Sequence, residues 1–256
     1  TIAVLPMMSC AGRLPIYMMF VSALFPSRLQ APVLFGIYAS GVLLALCCAR
    51  LLKNTLFKAP QRDSLHHMKR LRLPSLRKVG ILMWSRAFMY VRKAGTFILG
   101  ASIILWFLNT YPRPEENTAP TNAAAMEHSY AGQIGHWMEP VTQVAGFDWK
   151  INSALVGAFA AKEIFVTQMG ILYAVEDGNS GPAAQQTLNA RLKASYTPLQ
   201  GISIMIFCLI ALPCIGTVTV AKREAGTWWF ALAQFGGLTL LGFATATLIY
   251  QAGLLL

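Results

Sequence analysis

The sequence predicts an all-α fold, a polytopic transmembrane helical bundle with broken helices, about six membrane spans and one interfacial amphipathic helix. Three observations carry that prediction. Of 256 residues, 55% are hydrophobic and 12% charged, and mean hydropathy is +0.51, too apolar for an ordinary water-soluble domain. Residues 31–49, 94–111, 196–221 and 225–256 contain no Asp, Glu, Lys or Arg, and about 18 such residues suffice to cross a bilayer core. Charge is also segregated. Twelve Lys/Arg against one acid lie between Arg50 and Lys93, whereas residues 110–150 hold two basic residues against five acids. An excess of Lys/Arg in one loop marks the cytoplasmic side and favours contact with anionic lipid. The net charge of +11 comes without any nucleic-acid reading module, so no nucleic-acid partner is expected.

The elements follow in order. Residues 1–27 read as a broken span, because Pro6 and Pro15 bracket "LPMMSCAGRLP" between apolar flanks. The turn "PSRLQAP" leads to helix 31–53, which ends at Arg50 and Lys53, so residues 1–53 form a first gate segment. Residues 54–93 form a basic cytoplasmic loop and an interfacial helix. Within "LPSLRKVGILMWSRAFMYVRKAG", Lys78, Ser85 and Arg92 recur every seven residues among Ile81, Leu82, Trp84, Phe88 and Tyr90. One polar stripe on an apolar helix suits the membrane surface. Residues 94–150 comprise an outward helix, 94–111, and an acidic periplasmic loop interrupted by Pro112, Pro114, Pro120 and Pro140.

Residues 151–256 form a second gate segment of three membrane helices. Helix 151–175 returns to the cytoplasm, a polar segment follows, helix 196–221 goes out, "KREAG" turns, and helix 227–253 comes back. This order leaves Lys222 and Arg223 on the outer side, against the charge bias.

Three places break the rules for a helix in lipid. Hydrocarbon offers no partner for an unpaired backbone N–H or C=O, so the double break around Cys10 needs a protein-lined or wet cavity. Met7, Met8, Ser9 and Arg13 beside it are candidates for pathway or support. Pro213 opens helix 196–221 next to Cys214 and Gly216, with Thr217 a further candidate. Lys162 and Glu163 stand at the centre of a 25-residue span, where a charge costs about 2.5–3.5 kcal/mol on insertion scales. Adjacent residues point about 100° apart on a helix, so each needs another partner. Cys47, Cys48 and Cys208 read as small hydrophobes in unbroken helix.

All five cysteines lie in apolar runs, which argues against a disulfide framework. All four histidines (His66, His67, His128, His136) fall in expected loops, which argues against haem ligation or a Cys–His nucleophile in the membrane. His128 and His136, with Glu127 and Glu139, read as plain loop residues. The chain carries no P-loop, and no catalytic residue is expected in it.

Together, "LPMMSCAGRLPIY", "GAFAAKEIFV" and "YTPLQGISIMIFCLIALPCIGTVTVAKREAGTWWFAL" resemble the gate regions of the ferrous iron transport protein B family. The resemblance implies a permease for Fe²⁺ in the bacterial inner membrane. It implies that this chain is the later six of about eight membrane helices, and that a GTPase domain using GTP and Mg²⁺ lies upstream. It assigns the gate cysteines to Cys10 and Cys214 and the intramembrane acid to Glu163, as the metal ligands. Implied partners are membrane lipid, the remainder of the polypeptide with its G domain, and a small cytoplasmic accessory protein. A homo-oligomer is left open. The alternative reading is a broken-helix permease for another divalent metal or for an organic solute such as a nucleoside.

Overall fold

The computed structural model describes residues 10–55, 75–112, 126–174, 182–211 and 213–255. The chain enters through a 3-10 turn, Ala11–Arg13, and α1, Leu14–Leu24. Pro15 sits in the first turn of α1, where its missing N–H is no loss and its fixed φ suits the helix. α2, Ser27–Thr55, starts four residues earlier than the sequence suggests and takes Pro32 into its second turn.

α3, Leu76–Thr110, is 35 residues long. The interfacial helix and the outward span are therefore one continuous helix, and no proline lies between its ends to divide them. Lys78, Ser85 and Arg92 are all exposed, as are Ile81, Leu82, Trp84 and Phe88 around them.

Part of the expected loop 112–150 is also helical. Ser129 caps α4, Tyr130–Thr142, by accepting the Gly132 N–H on its hydroxyl. A 3-10 turn, Gln143–Ala145, follows, and Gly146 ends it in the left-handed region at φ 81°. His136 is thus a helix residue, stacked on Trp149 and bracketed by Glu127 and Glu139 at 3.6 and 3.4 Å. His66 and His67 lie outside the described residues.

The largest departure concerns residues 151–175. They do not form one crossing helix but a hairpin of α5, Trp149–Ala160, and α6, Lys162–Ala174. Ala161 adopts an extended conformation, φ −151° and ψ 133°, and the chain reverses there. Contacts recede from Ala161 on both arms: Gly157 faces Gln168, and Lys150 Nζ lies 4.5 Å above the Tyr173 ring. A continuous helix would hold Lys162 and Glu163 at mid-span on two different faces. Folding back places both at the tip, where other elements reach them.

α7, Pro182–Ser195, turns the buried side chains of Leu188 and Leu192 inward, one helical turn apart, and packs on α1. α8, Pro198–Ile210, opens with a capping box between Thr197 and Gln200. It stops as the sequence predicts, beside Pro213, and α9, Ile215–Ala225, resumes after Cys214. α10, Trp228–Leu255, runs back antiparallel to both: Gly242 lies against Ala211, Ser203 donates to the Ala246 carbonyl, and Gly253 meets Leu199. Three stretches are long and apolar enough to cross a membrane, namely Ser27–Leu51, Pro198–Ala225 and Trp228–Leu255, with Leu14–Leu24 and Leu99–Thr110 shorter apolar helices.

Lipid removes the aqueous drive for helix association, so close approach of small residues has to supply contact. Gly41 receives Leu209, and Gly242 lets α10 lie against the backbone of Ala211. Around these contacts Tyr17, Phe20, Phe165, Met169, Ile204 and Met205 are fully buried.

Candidate ion pathway

Four helices share one base. Tyr173 donates to Tyr196 (2.9 Å), whose hydroxyl meets both Asp148 oxygens at 3.0 and 2.8 Å. Phe20 packs on Tyr196, and Leu24 fills the space left by Gly201. The ends of α1, α5, α6 and α8 therefore meet at one level. Their lengths of 11, 12, 13 and 13 residues carry them about 16–20 Å away from it at 1.5 Å per residue. That is more than half of a hydrocarbon core of about 30 Å. All the breaks thus fall at one depth: the turn at Cys10–Arg13, the hairpin tip at Ala161, and the gap between α8 and α9.

The tip residues meet there. Lys162 is 6% exposed and its Nζ donates to the Cys208 carbonyl at 3.3 Å. Cys208 lies two residues from the end of α8, where carbonyls lose their intrahelical donors. Four residues beyond Leu209 stands Pro213, which has no N–H to give. An ammonium on such carbonyls also complements the negative end of the α8 dipole. Arg13, 2% exposed, and the sulfurs of Cys10, Cys208 and Cys214 lie within electrostatic reach of Lys162.

Glu163 takes a different direction. Its side chain is exposed, and Oε1 lies 2.9 Å from where a Gly12 Cβ would stand. The acid of α6 therefore sits over the turn that carries Cys10 and Arg13. Cys10 is exposed at the start of that turn. Cys214 is half-buried as the N-cap of α9, with Sγ 3.4 Å from Thr217 Oγ1, and its carbonyl accepts the Thr217 and Val218 N–H groups. Met7, Met8 and Ser9 lie outside the described residues.

The structure thus gathers Cys10, Arg13, Lys162, Glu163, Cys214 and Thr217 around the breaks. Among the described residues, no three His, Cys, Asp or Glu side chains are grouped closely enough to hold a metal ion together. The sulfurs and the carboxylate therefore lie around the same breaks without forming one coordination cage. Cys208 is the residue sequence reasoning missed. Its thiol is buried as a small hydrophobe would be, at 2% exposure, but its carbonyl is the acceptor for Lys162. The available signal was its distance from Pro213: five residues upstream, its carbonyl falls in the last turn before the break.

The family model described as "Gate: Nucleoside recognition" matches residues 91–228, and "Ferrous iron transport protein B C terminus" matches residues 34–86. The Fe(2+) transporter FeoB of Campylobacter jejuni is 35% identical over 237 residues, covering 92% of this chain and 38% of that protein. The Fe(2+) transport protein A/Fe(2+) transporter FeoB fusion protein of Porphyromonas gingivalis is 34% identical over 291 residues, covering 100% of this chain and 34% of its own length. FeoB of Helicobacter pylori strain 26695 is 30% identical over 281 residues, with 98% and 43% covered. The chain therefore spans between 34% and 43% of the length of these relatives. No solved structure matches it. With both family models falling on it in order and such relatives aligned over nearly its whole length, the chain belongs to the ferrous iron transport protein B family, as the Gate and C-terminal part of the membrane region.

Proposed function

We propose that this chain is the permease portion of a ferrous iron importer of the bacterial inner membrane, and that the ion passes the level where the helices break. The observation that carries the reading is the convergence of the Cys10–Arg13 turn, the hairpin tip and the α8–α9 gap at one depth. Fe²⁺ is a borderline cation for which thiolate with carboxylate is a suitable ligand set. Cys10, Cys214 and Glu163 hold it in succession, and carbonyls freed at the breaks replace part of its hydration shell. Ligands met in series let go more readily than a closed four-thiolate cage, as passage requires.

The base formed by Asp148, Tyr173 and Tyr196 faces the periplasm, and the opposite end faces the cytoplasm. On this topology the hairpin enters and leaves on the outer side. Lys222 and Arg223 then join Arg50 and Lys53 on the inner side, which removes the conflict that a crossing helix 151–175 creates. In the whole protein, an upstream domain binding GTP and Mg²⁺ regulates passage. A small accessory protein joins it, a partner that the name of the Porphyromonas gingivalis fusion relative supports.

The test is uptake by vesicles carrying the full-length transporter under anaerobic, reducing conditions. Fe²⁺ accumulates and a labelled nucleoside does not. Nucleoside uptake without iron uptake would replace this reading with that of an organic-solute permease.

A further inference from the structure

We propose that the Lys162 ammonium is a tethered cation, seated on the carbonyl oxygen of Cys208 in the ion's own path, which an incoming divalent ion must displace. The inference deepens the iron-pathway reading and rests on it. Its ground is geometric. Lys162 is the first residue of α6, at the apex of a hairpin whose two arms are tied at the base through Asp148 and Tyr173, both hydrogen-bonded to the Tyr196 hydroxyl. Its side chain is 6% exposed, and its donor reaches across to another helix, 46 residues on, at 3.3 Å.

A buried ammonium is costly unless acceptors receive it. The acceptor here is a carbonyl in the last turn of a broken helix, the kind of ligand such breaks present to a cation. The groups around it are those a divalent ion would also use. Cys10, Cys208 and Cys214 lie within electrostatic reach, and Glu163 is next in the chain. Arg13, 2% exposed, is a second positive charge at the same level. Lys162 and Arg13 repel each other and both repel a divalent ion, so seating that ion on the Cys208 carbonyl requires the ammonium to leave. Lys162 is then a positioning and gating residue, setting how much ion the passage holds.

A purely structural role makes a different prediction. Were Lys162 only a hydrogen-bonded staple between α6 and α8, a neutral donor of similar reach would do the same work. Lys162→Gln keeps a donor and removes the charge, Lys162→Met removes both, and Lys162→Arg keeps both. The measurement is equilibrium binding of Fe²⁺ to the purified full-length transporter in detergent under anaerobic reductant. Each variant's fold is checked by its melting transition.

The Gln and Met variants are expected to bind Fe²⁺ about tenfold more tightly than wild type as charge repulsion is relieved, and Lys162→Arg to bind as wild type does. Gln binding no tighter than Arg would overturn the proposal. If the neutral variants fail to fold, wild type alone decides. Acylation of Lys162 by a small amine-reactive reagent, read by mass spectrometry, should rise several-fold when Fe²⁺ is added. Unchanged acylation would contradict displacement. Iron uptake by wild-type vesicles is scored separately. Uptake with no charge effect sinks only the role of Lys162, whereas no uptake sinks the pathway reading itself.

Discussion

Asp148 stands where three helices are tied together, and its ionisation reports on that tie. Burial pushes its carboxyl above the ordinary carboxylate range, against the lowering pull of the Ile151 N–H, the Tyr196 hydroxyl and Lys150. A raised native value means that the folded protein holds the proton more tightly than the unfolded chain does. The group's stabilising contribution is therefore complete below the ordinary value and is lost as pH rises through the native one. Asn at this position still caps α5 and still accepts from Tyr196, without the ionisable proton. Asp148→Asn is expected to melt at or above the wild-type temperature at neutral pH and to show a shallower loss of stability from mildly acid to neutral pH. Asp148→Leu loses both the cap and the tyrosine acceptor and should cost about 1–2 kcal/mol. Thermal melts of the purified protein across pH check both. An Asn variant much less stable than wild type at neutral pH would show that the charge itself holds the base together.

At the scale of elements, legibility in the sequence followed the chemistry of the break. Pro213 removes a backbone donor, so the end of α8 could be read directly. Pro15 looked like a second break but starts α1, because proline is as good an opener of a helix as it is a breaker. The reversal at Ala161 left no local mark, since alanine is the best helix former. Only the cost of Lys162 and Glu163 in mid-span hinted that this segment was unusual, and nothing local said that it folds back. α3 erred the other way: a change from striped to uniformly apolar composition at residue 94 suggested two elements where the backbone keeps one.

Packing of α10 on the broken span gives an element-level prediction. A Cβ on Gly242 would lie 2.7 Å from the Ala211 Cβ and 3.0 Å from its backbone N. Backbone at the end of α8 has little room to yield, so Gly242→Val should cost about 1–3 kcal/mol. The melting temperature of the purified variant checks this. Gly12→Ala is crowded by the far end of the Glu163 side chain, which can swing aside, and meets the Lys162 Cβ at an ordinary 3.8 Å, so it should melt close to wild type.

For the whole molecule, composition settled the class of fold and charge segregation settled which loop is basic, because both are sums over many residues. Topology was another matter, since one unrecognised hairpin inverts every later segment. The proposed arrangement makes residues 133 and 195, both exposed near the base, reachable from the same side of the membrane. Residue 223, at the end of α9, is reachable from the opposite side. Cysteine introduced singly at each position, labelled with an impermeant maleimide in right-side-out and inverted vesicles, reads this out. Opposite labelling of 133 and 195 would restore a crossing helix at 151–175.

On the proposed reading, the convergence at the breaks also sets the path of the ion. Cys10 and Cys214 come from elements about 200 residues apart in sequence, yet both lie within electrostatic reach of Lys162. The most direct measurement is Fe²⁺ flux into vesicles carrying the full-length transporter with Cys10→Ser, Cys214→Ser or both, at matched protein content and matched melting temperature. Loss of a sulfur ligand should slow flux by about tenfold or more for each single variant, equivalent to raising the barrier by roughly 1.4 kcal/mol. The double variant should be no more than slightly worse, since each thiol serves one continuous path. Flux within about twofold of wild type in the double variant would contradict passage of iron along these two sulfurs.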